Sequence, residues 1–160
     1  MRIEVRGLDE VQSQLSDIAA RAEDLSPILE VVVQDIRTAI DDSFNEQSSP
    51  SGARWQPLAQ STLDRRKGTS ATILVDTGRL RNSIAVSWTR KSISFGTNVA
   101  YGGAHQFGYT PRRLPARPFM PVESDGGGGS RLMTGGRASA LWEQARADVD
   151  HYIRTGEIAG

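Results

Sequence analysis

Ser26 to Phe44 reads SPILEVVVQDIRTAIDDSF, and the spacing of its apolar residues decides the fold. Ile28, Val32, Ile36, Ile40 and Phe44 recur every four residues with Leu29 and Val33 beside them, which is the stripe of an amphipathic helix. Ser26 stands as a cap and Pro27 at the first helical position, where a missing N–H costs nothing, so a new helix starts here. Asp35, Asp41 and Asp42 fall elsewhere on its surface. So regular a stripe predicts a core helix in preference to an exposed interface.

On the N-terminal side, Leu8 to Leu25 predicts another helix. Leu8, Val11, Leu15, Ile18, Ala19, Ala22 and Leu25 recur at three and four, and Asp9 and Glu10 suit its start. Arg2 to Arg6 alternates charged residues with Ile3 and Val5, a short strand ended by Gly7. On the C-terminal side, Asn45 to Gly52 is a polar loop closed by Trp55, Gln56, Pro57 and Leu58. A basic helical stretch follows, ending at Arg65, Arg66, Lys67 and Gly68. Ile84, Val86 and Trp88 alternate along Ile84 to Thr89, as Ile93 and Phe95 do along Ser92 to Thr97. The two runs predict an antiparallel hairpin turning at Arg90 and Lys91, expected as the centre of the sheet. Asp125 to Ser130, with four consecutive glycines, predicts a flexible loop, and Ala138 to Ile153 a last helix docked on the domain or on another subunit.

Three short signatures occupy the middle of the chain. Thr77 and Gly78 precede Arg79 to Ile84, so Thr77 can cap a short helix with Leu80 and Ile84 on one face. Tyr101 and His105 lie one helical turn apart before Gln106, Phe107 and Gly108, a second short helix with a glycine stop. Leu114, Pro115, Ala116, Arg117, Pro118 and Phe119 form a segment stiffened by its prolines, expected to present Arg117 and Phe119 to a neighbour.

At 160 residues, 38% apolar and 24% charged, the chain suits one soluble domain with appendages. With no cysteine there is no disulfide or thiolate chemistry, and His105 and His151 alone do not make a common zinc site, so no metal or cofactor is expected. The most apolar stretch, Ile28 to Ile40, is interrupted by charges, and the start lacks a signal-peptide core; synthesis in a cytoplasm and no membrane partner are the expectations. The zero net charge hides an asymmetry. Residues 1–50 carry 4 basic and 11 acidic groups, residues 51–120 carry 11 and 2, and residues 121–160 carry 4 and 6. The basic middle can face nucleic acid or meet the acidic N-terminal part of the same or a neighbouring subunit; zero net charge favours the second.

Catalytic chemistry has thin support. His105 beside Gln106 reads more readily as a packing residue than as a general base, and Asp76 as a turn residue. The glycine run is followed by Ser130 and Arg131, without the lysine of a phosphate loop. Arg65, Arg66, Lys67, Arg112 and Arg113 have only Tyr109 near them in sequence, so non-specific backbone contact survives and sequence reading of nucleic acid does not.

The blocks running from Phe44 to about Val122 carry a resemblance. Gly52, Trp55, Pro57, Leu58, Ser61, Thr62 and Leu63 come first with the basic Arg65, Arg66 and Lys67, then Leu74, Thr77, Gly78, Leu80, Ser83 and Ile84. Gly96, Thr97, Asn98, Tyr101, His105, Gln106, Phe107 and Gly108 follow, and Pro115 to Phe119 close the series. In that order the sequence resembles the tailed-phage virion morphogenesis or tail-completion proteins, including those of Mu-like phages. The resemblance implies a non-catalytic virion protein at the head–tail junction: a homo-oligomeric ring, with six subunits expected, that completes the tail or joins it to the connector. Its partners would be other neck, tail and connector proteins, with passing contact to genomic DNA.

The fold expected is α+β: a small, mostly antiparallel sheet packed against two N-terminal helices, with long loops and a C-terminal helix. Residues 1–122 form the tail-completion-like domain, 123–137 a Gly-rich flexible loop and 138–160 the C-terminal helix and extension. Tyr101, His105, Gln106, Phe107, Arg117 and Phe119 are the candidate subunit or partner interface. Arg65, Arg66, Lys67, Arg112 and Arg113 are the candidate DNA-channel or charge-pairing residues. The alternatives are a non-specific nucleic-acid-binding module and a small hydrolase using His105.

Overall fold

A computed structural model describes residues 8–66 and 72–158; the expected strand at Arg2 to Arg6, and Lys67, lie outside the described residues. In chain order the elements are α1 (Leu8–Glu23), α2 (Ser26–Glu46), α3 (Gln60–Arg65), α4 (Arg79–Asn82), β1 (Ile84–Trp88) and β2 (Ile93–Thr97). They continue with α5 (Gly102–Phe107), a 3₁₀ turn (Thr110–Arg112), β3 (Val122–Ser124), β4 (Ser130–Leu132) and α6 (Gly136–Thr155). The class is α+β, with two separate two-stranded antiparallel sheets where one sheet was expected.

The α2 stripe is the core. Ile28, Val32, Val33, Ile36, Ile40 and Phe44 are all buried, each such side chain contributing about 1.5–3 kcal/mol by leaving water. Phe44 meets the Trp55 ring edge-on at 5.8 Å and the Phe119 ring at 5.5 Å, so the end of the helix anchors an aromatic cluster. Ser26 begins the helix without capping it. Leu25 holds the cap position, and Asp24 Oδ1, two residues before Ser26, accepts the Ser26 N–H at 3.0 Å, so a carboxylate satisfies one of the free N–H groups at the helix start. At the other end Gln47 adopts a left-handed conformation (φ 56°), and its amide oxygen accepts the Ile73 N–H.

β1 and β2 pair in the expected register, Ile84 opposite Thr97 and Trp88 opposite Ile93. The two N-terminal helices divide their work unevenly: β1 packs against α2, whereas α1 lies against α6. The apolar stripe predicted on α1 is therefore largely uncovered, with Val11 54% and Leu15 61% exposed.

α6 docks on this same chain along α2, starting two residues before the predicted Ala138. Its first turn is pinned to the loop after α2. Arg137 pairs with Glu46 at 2.5 Å and donates to Ser48 Oγ at 3.0 Å, and the Ala138 N–H donates to the Pro50 carbonyl at 2.9 Å. Gly136, at φ +54°, lies so close to this loop that a Cβ would fall 2.1 Å from the Ser51 carbonyl oxygen. Ser48, Ser49 and Pro50, predicted as a polar loop, are buried by this contact.

The glycine run is ordered where a flexible loop was expected. It turns the hairpin β3–β4, and Asp125 Oδ1 accepts the N–H groups of Gly127 and Gly129 at 2.8 and 2.9 Å. The short aspartate side chain satisfies the backbone that the glycines leave bare.

Candidate functional site: a basic cleft

The three signatures lie around one feature. α4 starts after Gly78 in a left-handed conformation (φ 76°), with Thr77 Oγ1 accepting the Arg79 N–H at 3.4 Å; Thr77 thus closes the preceding turn, and Gly78 holds the cap position. α5 approaches β2 so closely that a Cβ on Gly102 would fall 2.4 Å from Thr97 Cγ2. Gly108 ends α5 at φ 81°, ψ 166°, an extended exit that only glycine adopts freely, in place of the left-handed stop expected.

The Leu114 to Phe119 segment is held from three sides. Trp55 Nε1 donates to the Pro118 carbonyl at 2.8 Å. Arg117 donates through Nε to the Gln56 carbonyl at 2.9 Å and through Nη2 to the Pro57 carbonyl at 3.0 Å, while its backbone N–H reaches the His105 carbonyl at 2.7 Å. The Gln106 side chain, 1% exposed, accepts the N–H groups of Phe119 and Met120 at 3.0 Å each. It donates to the carbonyls of Met120 and Val122 at 3.0 and 2.7 Å. All four hydrogen-bonding positions of that amide, two donors and two lone pairs, are thereby engaged, which makes it a staple between α5 and the chain leading into β3.

This placement corrects two expectations. Phe119 is 0% exposed and Arg117 4%, so neither is presented to a neighbour: the phenylalanine fills the core, and the guanidinium bonds backbone carbonyls in place of a partner's carboxylate. Proline stiffness and exposure are independent properties, and the aromatic ring gains more from Phe44 than from solvent contact. Gln106 is likewise internal. Tyr101 and Phe107 are exposed, 43% and 45%.

Below α5 a cleft of about 1040 Å³ opens between α3, the 74–80 segment, α5 and the 112–115 turn. It brings together Arg65 and Arg66 at the end of α3, Arg79 from α4, Arg112 and Arg113 at the end of the 3₁₀ turn, and Tyr101 at the start of α5 with His105 within it; Arg117 also reaches it. Leu58, Leu74, Leu80 and Leu114 supply apolar lining, and Asp76 is its one acidic group among the described residues. Phe107, Gln106 and Phe119 do not line it. Arg66 donates to the Thr72 carbonyl at 2.8 Å and lies 3.9 Å from Asp76. Arg79, Arg112 and Arg113 form no ion pair among the described residues. Leu74 sits at φ +60°, a left-handed conformation uncommon outside glycine, so the cleft wall carries local backbone strain. Two lining features escaped the sequence reading. Arg79 was read only as part of a short helix, and the leucines carried no signal because sequence-distant residues form the floor.

His105 stacks edge-on against Tyr101 at 5.8 Å, and its buried Nδ1 has no partner among the described residues. Burial, helped by the nearby Arg117 charge, lowers its pKa below the ordinary histidine value of 6.5. The folded state therefore resists the proton that the unfolded chain accepts. The contribution of His105 to stability is complete above pH 6.5 and declines as the pH falls through that value toward the lower folded pKa. Denaturant midpoints should thus fall between pH 7.5 and 5 in the native protein and fall less in His105→Gln; identical slopes would show that His105 is not the group responsible.

A model of the phage virion morphogenesis family matches residues 7–128, which takes in α1 through the β3–β4 turn and every wall of the cleft. The chain belongs to that family. No curated protein and no solved structure matches it. As a virion morphogenesis protein it has a structural or assembly role in a phage particle. Among the described residues no helix is long and apolar enough to cross a membrane, and no cluster of three or more potential metal ligands occurs.

Proposed function

We propose that this virion morphogenesis protein acts at the neck or tail of the particle as a homo-oligomeric ring that completes the tail or joins it to the head, without catalysing a reaction. The observation that carries the reading is α1. The family match includes this helix, yet the chain leaves Val11 and Leu15 in water, as a subunit awaiting neighbours would. The cationic cleft supports the same reading, since a surface on which Arg79, Arg112 and Arg113 form no ion pair among the described residues is suited to an acidic partner. A chemical role for His105 is disfavoured by its surroundings: burial keeps it neutral, and the nearest charge named above is a cation, so no carboxylate orients it as a base.

Two measurements test the proposal. Light scattering on the purified protein should give a closed oligomer of several subunits, and a density map of the intact virion should place a ring of that number between head and tail. A persistent monomer, or density elsewhere in the particle, would remove the joining function. Hydrolysis of generic ester or nucleic-acid substrates that disappears in a folded His105→Ala variant would restore the enzymatic alternative.

A further inference from the structure

α1 and the basic cleft are the two surfaces that the chain leaves unfinished, and their chemistries are opposite. α1 carries Asp9, Glu10, Asp17 and Glu23 against Arg21. Glu23 is occupied by Lys91 of the same chain at 2.6 Å, whereas Asp9, Glu10 and Asp17 form no ion pair among the described residues. Beside these acids runs the exposed Val11 and Leu15 stripe. The cleft has the complementary pattern, with arginines at its rim and Leu58, Leu74 and Leu114 beneath them.

We infer that the Glu10 to Asp17 stretch of α1 docks in the basic cleft of a second copy of this chain, Val11 and Leu15 meeting the leucines while Glu10 and Asp17 meet Arg79, Arg112 and Arg113. The inference rests on the ring proposed above and names its subunit contact. Three considerations select this occupant. No residue lining the cleft comes from α1, so the two surfaces are separate and both are available at once. Two α1 helices set against each other would bring acid to acid, which opposes an isologous pairing. A contact between two different patches is heterologous, and where its rotation returns to the start, repetition of that one contact makes a ring without any further interface.

The test reverses charge on each side. Glu10→Arg with Asp17→Arg changes α1, and Arg112→Glu with Arg113→Glu changes the cleft; all four residues are exposed and outside the core, so folding should survive, as circular dichroism will verify. Each doubly substituted protein alone should self-associate about tenfold or more weakly than the native chain. An equimolar mixture should regain association, because each variant then finds a complementary partner. Since the chain has no cysteine, Leu15→Cys combined with Thr77→Cys should give a ladder of oxidised oligomers, whereas neither substitution alone should.

Native-like assembly of both reversed variants would overturn this contact and leave the ring standing. Disulfide dimers from Leu15→Cys alone would show α1 pairing with itself. Loss of duplex DNA retention in Arg112→Glu/Arg113→Glu with assembly unchanged would assign the cleft to nucleic acid instead. A native protein that stays monomeric, together with a Leu15→Cys/Thr77→Cys variant that forms no ladder in solution or in assembled particles, would overturn the contact and the ring together.

Discussion

Phe119→Ala is expected to destabilise the protein by about 3–5 kcal/mol, the range for removing a fully buried aromatic ring. The ring is 0% exposed and lies 5.5 Å from that of Phe44, which also meets Trp55, so truncation opens a void at the junction of α2, the 55–58 segment and the strand approach to β3. A domain of this size is stable by only about 5–15 kcal/mol, so the loss should be visible as a large fall in the urea midpoint and as poor recovery of folded protein. Phe107→Ala provides the contrast. Its ring is 45% exposed, and the change should stay within about 0.5 kcal/mol. Equal effects at the two positions would mean that the 114–119 segment is not docked as described. An assembly defect in Phe119→Ala would report misfolding, and so the residues to vary for assembly are those of α1 and the cleft rim.

The second large effect is expected at Gln106. Gln106→Leu keeps the volume but deprives the N–H groups of Phe119 and Met120 and the Val122 carbonyl of their partner, while the Met120 carbonyl retains the Val122 N–H at 2.8 Å. A buried unsatisfied group costs about 1–3 kcal/mol, so two or three together should cost roughly 3–6 kcal/mol. Gln106→Glu separates the hydrogen bonds from the packing. It keeps the two accepted N–H bonds but loses the amide donor and buries a charge, so its stability should recover toward the native value as the pH is lowered and the carboxylate takes a proton able to serve as donor. Leu and Glu variants with the same stability at every pH would show that the amide is not the staple between α5 and the 119–122 chain.

The elements were legible wherever a local pattern was strong. Ile28 to Phe44 declared both a helix and a core, because only one side of a helix collects residues at four-residue spacing. The hairpin register followed from alternation about a polar turn. The blocks from Gly52 to Phe119 were legible as a family resemblance, and the match over residues 7–128 bears it out at the level of virion morphogenesis. Side-chain destinations were another matter. Arg117 and Phe119 were read as displayed because prolines flank them, yet rigidity of a segment says nothing about which of its faces the rest of the chain covers. The glycine run was read as mobile because composition cannot report that Asp125 turns back onto two of its amides.

The cleft shows the same division more sharply. Its cations were visible as a charge count, 11 basic against 2 acidic groups over residues 51–120, and even as the named neighbours Arg65 and Arg66, and Arg112 and Arg113. Their convergence on one surface depends on α3, α4, α5 and the 3₁₀ turn arriving from separate places in the chain. α1 presents the converse. Its amphipathic stripe was plain, and periodicity predicts that such a stripe will be covered, but coverage requires an opposing surface at the right distance. α6 reaches only part of α1, and Val11 and Leu15 are left outside.

By itself, then, the sequence determined the helices, the hairpin, the charge blocks and the family, all of which follow from short-range sterics, spacing and residue order. Only the tertiary structure decided that Gln106, Arg117 and Phe119 hold the fold together while Arg79, Arg112, Arg113 and the α1 stripe face outward. Burial is a property of what surrounds a residue, and in this chain the surroundings of each signature come from segments tens of residues away, as the bonds from Trp55 to Pro118 and from Arg117 to Gln56 show.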